Sequence, residues 1–461
     1  MTTTRTAGRL QRLGMHEPLL RNGYALVLNV GLTTVLGVVF WIVAARYYSA
    51  ADVGRGSALV SALLLLANFA QLGMANGLIR FLPAAGPHAG GLLARTYALS
   101  AALALCLGLG FAALAPGLSP ELGFLDDGLL PAAALSGAVL VWALFALQDA
   151  AIVGLRHAVW IPLENSAYGL LKLGLLLPFA AVMPGVGVFG AWVLGAAALI
   201  IPVNYAIFRR WVPRHAQALR PEGEPVRRLR TVLRFVTFDY AGQVCFMLAT
   251  SALPLLVVAT LGTVSNGYFY IAWTIAVSLD LLSINLAQSL TVEASLRPGS
   301  LPALLRRLLP RLALLQGTAV TVLFAGAPLL LALYGEAYVD KATSLLRLLA
   351  VAVLPRAVVV VTLAVLRVQR RTGRILAIQA ATAVGVLGLC TVLAEPLGLR
   401  GVGAAWLLTQ IVLAGTLLPG LLRTVRARTA APETPTALLS SAPPASVEVR
   451  GSVGPGGAGP A

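Results

Sequence analysis

The chain has 461 residues, 58% of them hydrophobic and 11% charged, with a mean hydropathy of +0.86. A soluble globular protein carries roughly 25% charged residues, so this composition excludes a water-soluble enzyme and makes lipid the solvent for much of the surface. The formal charge of +17 comes almost entirely from arginines at the edges of apolar runs, where they meet anionic headgroups rather than nucleic acid.

Twelve apolar runs follow one another at 24–48, 55–81, 91–115, 129–154, 158–182, 186–208, 231–260, 266–293, 308–333, 342–366, 374–394 and 401–422. Each reaches the ~20 residues that a helix needs to cross a ~30 Å hydrocarbon core. The first run is too long for the apolar core of a cleavable leader and reads as a retained span. With the N-terminus placed in the cytoplasm, 27 of the 34 basic residues fall in cytoplasmic segments and 5 on the outer side. The positive-inside rule therefore predicts a multi-pass protein of the cytoplasmic membrane with both termini cytoplasmic. The expected domains are a cytoplasmic N-terminal segment at 1–23, a six-helix bundle at 24–208, a basic cytoplasmic linker at 209–230, a second six-helix bundle at 231–424, and a cytoplasmic tail at 425–461. That tail is rich in Ala, Pro, Ser, Thr and Gly, a composition that predicts disorder.

The two halves carry a common pattern. Gly187-Val188-Phe189-Gly190-Ala191-Trp192-Val193-Leu194 opens the sixth run, and Gly401-Val402-Gly403-Ala404-Ala405-Trp406-Leu407-Leu408 opens the twelfth, 214 residues later, with five of eight positions identical. At an offset of 213, Asp52-Val53-Gly54-Arg55 falls on Ser265-Asn266-Gly267-Tyr268, and Arg80 falls on Glu293. An even number of spans per half keeps the repeats parallel. The sequence thus predicts an all-α membrane fold of about twelve helices, in two six-helix bundles related by a pseudo-two-fold axis along the membrane normal, with a central cavity suited to alternating access.

An ionisable side chain at membrane depth costs roughly 2.5–3.5 kcal/mol on insertion scales and normally faces a cavity or a partner. Asp149, Glu164, Lys172, Asp239, Asp280 and Arg356 fall inside the runs, with Arg80 and Glu293 at their edges. Lys172 lies near mid-membrane, where a cation suits a phosphate or diphosphate. Glu164 stands eight residues before it, about 12 Å away along one helix, too far for a direct pair. Lys172, Glu164, Asn165, Arg356 and Arg80 are candidates to line a substrate cavity. Asp239, Asp280 and Asp149 are candidates to couple transport to H+ or Na+. The alternative for each is a structural ion pair, with Lys172 or Arg356 as partner for the carboxylates.

Cys106, Cys245 and Cys390 are far apart in apolar runs and read as small core residues, with neither metal-ligand spacing nor a disulfide framework. His16, His88, His157 and His215 fall in cytoplasmic segments and read as interfacial side chains. No phosphate-binding loop of the G-x-x-x-x-G-K-[ST] kind occurs, so neither enzymatic activity nor any metal or cofactor is expected.

The stretch Phe40-Trp41-Ile42-Val43-Ala44-Ala45-Arg46-Tyr47-Tyr48-Ser49-Ala50-Ala51-Asp52-Val53-Gly54 resembles the end of the first span in polysaccharide flippases of the multidrug/oligosaccharidyl-lipid/polysaccharide exporter superfamily. Gly77-Leu78-Ile79-Arg80-Phe81-Leu82-Pro83, then Val159-Trp160-Ile161-Pro162-Leu163-Glu164-Asn165 followed by Lys172, and the two Gly-Val-x-x-Ala-Trp openings continue the resemblance over about residues 20–424. It implies two bundles around a cavity that tends to carry cations, and the flipping of a polyprenyl-diphosphate-linked oligosaccharide for cell-surface polysaccharide synthesis. It also implies membrane lipids as surroundings and glycosyltransferases or a polymerase as pathway partners. Many such flippases have fourteen spans; twelve is also the count of the drug-exporting branch, so an ion-coupled small-molecule exporter is the alternative. A major-facilitator transporter does not fit, because the loop Arg80-Phe81-Leu82-Pro83-Ala84-Ala85-Gly86-Pro87 lacks that family's acidic-basic motif. A membrane scaffold without transport is the remaining alternative, against which the buried charges count mildly.

Overall fold

The computed structural model describes residues 18–126, 128–218, 229–296 and 299–426. Residues 1–17 of the expected N-terminal segment, the middle of the basic linker and the C-terminal tail beyond Arg426 lie outside these residues; residues 18–23, expected before the first span, belong to its helix. Among the described residues the structure is all helical. The first half consists of α1 (Pro18–Tyr47), α2 (Ala50–Gln71), α3 (Ala89–Leu118), α4 (Leu129–Gly154), α5 (Ile161–Val182) and α6 (Pro184–Ala206). A short helix, Met74–Phe81, prolongs α2 beyond a left-handed Leu72.

In the second half, one helical run, Leu229–Leu296, is broken at Gly262, whose φ of 82° and ψ of 169° are non-helical. Only glycine adopts such a conformation cheaply, and the break makes two helices, α7 (229–261) and α8 (263–296). They are followed by α9 (Leu301–Ala332), α10 (Glu336–Val368), α11 (Thr372–Leu397) and α12 (Leu399–Arg426). The described residues hold 11 apolar helical stretches long enough to cross a bilayer, the longest being Ala241–Ser295, which Gly262 divides. Counting that run twice gives the twelve crossings expected of a multi-pass membrane protein. Exposed leucine and valine, such as Leu314 (72%), Leu329 (77%) and Val384 (74%), form a surface stable only in lipid.

The arginine-rich loops lie at one end of the helices, here termed the basic end; Asp52, Glu121 and Gly262 mark the far end. The internal repeat is visible in the backbone. Arg156 after α4 and Arg370 after α10 are 214 residues apart, and both are left-handed (φ 63° and 55°). Each sits in the same helix-ending turn: His157 donates its N–H to the Ile152 carbonyl and Arg371 to that of Leu366, both at 2.9 Å. A left-handed non-glycine residue costs about 1 kcal/mol, yet both halves place arginine there.

The core explains the shape. One apolar cluster joins the halves, from Phe40, Trp41, Tyr48 and Val188 to Phe269, Tyr270, Trp273, Leu349 and Trp406. Toward the basic end the cores separate. Met74, Leu93, Leu147, Ile161 and Trp211 form one cluster in the first half, while Leu290, Leu305, Val361 and Leu421 form another in the second. One core therefore joins the halves at the far end, while toward the basic end each half has its own core and the short helix Met74–Phe81 still touches the second half's 229–296 run.

The seal is made where the repeat brings Gly54 of α2 against Gly267 of α8. A Cβ on Gly54 would stand 1.7 Å from the Thr263 carbonyl oxygen, and one on Gly267 would stand 2.2 Å from that of Ala50. The buried Asn266 side chain donates to the Gly54 carbonyl at 2.8 Å and to Ser57 Oγ at 3.0 Å. Glu121, from the α3–α4 connection, accepts the Thr263 N–H at 3.0 Å and so caps the start of α8, where the helix dipole favours a carboxylate. Arg46 donates to the Ala332 and Leu333 carbonyls at the end of α9, both at 2.8 Å, satisfying acceptors that the helix itself leaves open.

Candidate functional site

Two clusters of buried polar groups stand out, one in each bundle. In the first half, α5 carries Lys172 into an aromatic cage. Its Nζ stands 4.3 Å from the centre of the Trp192 ring, 4.8 Å from Tyr168 and 5.0 Å from Phe40. Tyr168 precedes it by one helical turn, and α6 approaches closely because Gly195 would place a Cβ only 3.3 Å from Lys172. Lys172 is 7% exposed, and among the described residues no carboxylate lies within ion-pairing distance of it. Ring quadrupoles offset part of the desolvation of such a cation, up to about 2 kcal/mol each. The cost of burying a charge outside water is larger, so the site favours an added anion.

Lys172 lines a cavity of about 200 Å³ with Thr33, Trp142, Asp149, Asn165 and Tyr168. Asn165 donates to Asp149 Oδ2 at 3.3 Å. Glu164 is buried to 7% exposure beside this cavity and receives a hydrogen bond from Gln148 Nε2. Gln148 in turn accepts from Asn204 Nδ2 at 2.7 Å, so amides of α4 and α6 hold the α5 carboxylate in place. Asp149 Oδ1 and Glu164 Oε2 are buried with no hydrogen-bond partner. A proton or a small cation would satisfy them.

In the second half, Arg356 of α10 forms a buried ion pair with Asp280 of α8. The guanidinium also lies 4.7 Å from the Phe246 ring centre and 5.5 Å from Trp406. Arg356 faces a cavity of about 310 Å³ with Asn68, Gln243, Gln288, Gln379 and Arg367. Asn68 comes from α2 and the others from α7, α8, α10 and α11, so both halves contribute. Trp192 and Trp406 are repeat equivalents, and each receives a cation of its own bundle.

The sequence candidates divide accordingly. Lys172, Asn165 and Asp149 share one cavity; Glu164 stands behind it. Arg356 lines the other and holds Asp280. Arg80 is exposed on the short helix, with its guanidinium 5.7 Å from the Phe81 ring, and lines neither cavity. Asp239 falls in α7 among residues whose side chains are not described. The structural ion pair foreseen as the alternative occurs between Asp280 and Arg356, whereas Lys172 is held by rings. The cysteines need one correction: Cys390 is buried and Cys245 is half-buried, but Cys106 is exposed, on a helix side facing away from the core. Sequence reasoning missed the aromatic cage, although Tyr168 at four residues from Lys172 and the repeated tryptophan were its visible signals. It also missed Gln148 and Asn204, which no spacing pairs with Glu164.

No family model and no curated protein matches the chain in sequence. Solved structures do match it in fold. An inward-facing multidrug resistance MATE family transporter of the MOP superfamily superposes with a TM-score of 0.67 at 16% identity, covering 86% of this chain and 98% of its own. The lipid II flippase MurJ in an inward closed conformation gives 0.68 at 12% identity, covering 87% and 89%. An outward-facing MATE transporter gives 0.55 at 16% identity, covering 88% and 95%. The chain has the fold these transporters share.

Proposed function

We propose that the protein is a secondary transporter that flips a polyprenyl-diphosphate-linked oligosaccharide across the cytoplasmic membrane for cell-surface polysaccharide synthesis. The observation that carries this reading is Lys172, a buried cation enclosed by rings and with no carboxylate within ion-pairing distance among the described residues, which is matched to a diphosphate. Arg356 and the amides of Asn68, Gln243, Gln288 and Gln379 suit sugar hydroxyls better than an apolar drug, since an amide offers both donors and acceptors. With the basic end in the cytoplasm, as the positive-inside rule requires, the seal at Gly54 and Gly267 closes the outer side. Transport then breaks the far-end seal. Asp149 and Glu164, with their unpartnered oxygens, are the groups we assign to H+ or Na+ coupling, because Asp280 is engaged by Arg356. Glycosyltransferases or a polymerase would supply and consume such a cargo.

The same carboxylates support a second reading, an ion-coupled small-molecule exporter. The deciding experiment is lipid extraction from a strain lacking the protein. Polyprenyl-diphosphate glycan accumulating on the cytoplasmic face, relieved by the wild-type gene and not by Lys172→Ala at equal protein level, is the expected result. Intact surface polysaccharide together with new drug sensitivity would favour the exporter. Normal export by Lys172→Ala would remove Lys172 from the site.

A further inference from the structure

The basic end of the second half holds a cleft of about 520 Å³ between α10, α11 and α12. Arg371 and Arg374 stand at its mouth, at the start of α11; Leu366, Ile378, Leu417 and Leu421 form the apolar part of its walls, and Thr362, Gln369, Thr416 and Thr424 the polar part. It is separate from both cavities described above, with which it shares no lining residue.

The internal repeat shows what this place holds when it is filled. In the first half α6 runs on through a wide turn, Ile207–Trp211, into Val212–Ala218. That turn brings Trp211, 9% exposed, against His157 at 4.8 Å in a stacked arrangement and Trp160 at 6.1 Å. Trp211 thus fills the junction of α4, α5 and α6, with His157 stacked on it and Trp160, 50% exposed, at its rim. Adding 214 to their numbers gives Arg371, Arg374 and Val425. The turns that lead into the two sites are the same, with left-handed Arg156 and Arg370 in equivalent positions. One half therefore has a junction filled by a buried tryptophan, and the other has two guanidiniums around an open cleft with leucine and isoleucine on its walls.

From this exchange we infer that the cleft between α10, α11 and α12 binds an anionic phospholipid of the surrounding leaflet, with Arg371 and Arg374 on its phosphate and the acyl chains along Leu417 and Leu421. Two arginines take a phosphodiester in charge-assisted bonds, and basic pockets between membrane helices are suited to anionic headgroups. The positive end of the α11 dipole adds to the field. The leucine and isoleucine part of the wall distinguishes a lipid from a free anion, as do the exposed Leu376, Leu418 and Leu422 on the flanking helices (36%, 40% and 38%).

The test is native mass spectrometry of the purified full chain, titrated with phosphatidylglycerol, phosphatidylcholine or inorganic phosphate. Wild type should retain phosphatidylglycerol in preference to the other two. Arg371→Gln/Arg374→Gln should bind it about 30-fold more weakly, from roughly a fivefold contribution per guanidinium. Arg209→Gln/Arg210→Gln, which removes the same charge from the first half, should bind as wild type does. A second variant, Arg371→His/Arg374→Trp/Val425→Trp, transplants the aromatic filling and should also lose the lipid. Equal weakening in both double variants would overturn the site in favour of diffuse charge, and phosphate displacing the lipid at equal concentration would make it a free-anion site. None of these readouts depends on transport.

Discussion

Replacing Gly54 with alanine places a methyl group 1.7 Å from the Thr263 carbonyl oxygen and 2.8 Å from the Gly267 nitrogen. A relaxed carbon–oxygen contact lies near ~3.3 Å, and a backbone carbonyl cannot rotate away, so α2 and α8 must part by about 1.5 Å. That displacement stretches the bonds from Asn266 to the Gly54 carbonyl and to Ser57, now 2.8 and 3.0 Å. Two buried hydrogen bonds at about 1 kcal/mol each, with the packing lost around them, make the sealed far end less favourable by on the order of 2–4 kcal/mol. At 1.4 kcal/mol per factor of ten, the population should shift roughly 30- to 1,000-fold toward states with the far end open. Spin labels at Leu129 and Leu333, both exposed at that end (81% and 48%), report the separation by pulsed dipolar spectroscopy. Gly54→Ala should add a longer-distance population, and Gly267→Ala, which meets the Ala50 carbonyl at 2.2 Å, should do the same. Gly388→Ala, with nothing within 4 Å, is the silent control. A Gly54→Ala protein with the wild-type distance distribution and thermal stability would refute the assignment of this contact as the gate.

Other consequences follow from the same geometry. Asp280→Asn leaves Arg356 buried without its ion-pair partner, which costs about 3–5 kcal/mol; thermal unfolding in detergent should show the loss, and Asp280→Asn/Arg356→Gln should recover most of it. If the unpartnered oxygens of Asp149 and Glu164 couple transport to a cation, Asp149→Asn or Glu164→Gln should retain cargo binding but lose the dependence of transport on an imposed H+ or Na+ gradient; an unchanged dependence in both would move coupling elsewhere. Burial first, then Arg214 and His215, hold the His157 pKa below its ordinary 6.5. The neutral ring is thus favoured in the folded protein, and the associated stability is complete above ~6.5 and declines as pH falls below it. His157→Gln should flatten that part of the stability profile, and an identical slope in the variant would show that other groups produce it.

Spans, the six-plus-six division and the repeat were legible in the chain because each rests on a local quantity. Apolar run length fixes a crossing, and loop arginines bias an orientation whatever the helices do afterward. The Gly-Val-x-x-Ala-Trp pair announced the repeat, and the alignment of Gly54 with Gly267 marked the residues that later meet, though not that they meet. Buried charges were equally visible, because few other ionisable residues interrupt the apolar runs. What each charge touches was not visible. Periodicity gives the direction of a side chain on its own helix and says nothing of the helix opposite, so the sequence could not tell that Asp280 faces Arg356 while Lys172 faces three rings. Nor could it show that Glu164, one residue from Asn165, points away from the cavity toward Gln148. The difference between a filled junction at Trp211 and an open cleft at Arg371 and Arg374 also required the structure, since it depends on a helix that runs on through a wide turn in one half. The sequence by itself determined which segments enter the membrane, because transfer from water to lipid is a property of each segment alone. Tertiary structure decided which charges are paired and which cavities stay open, because those depend on the packing of helices hundreds of residues apart.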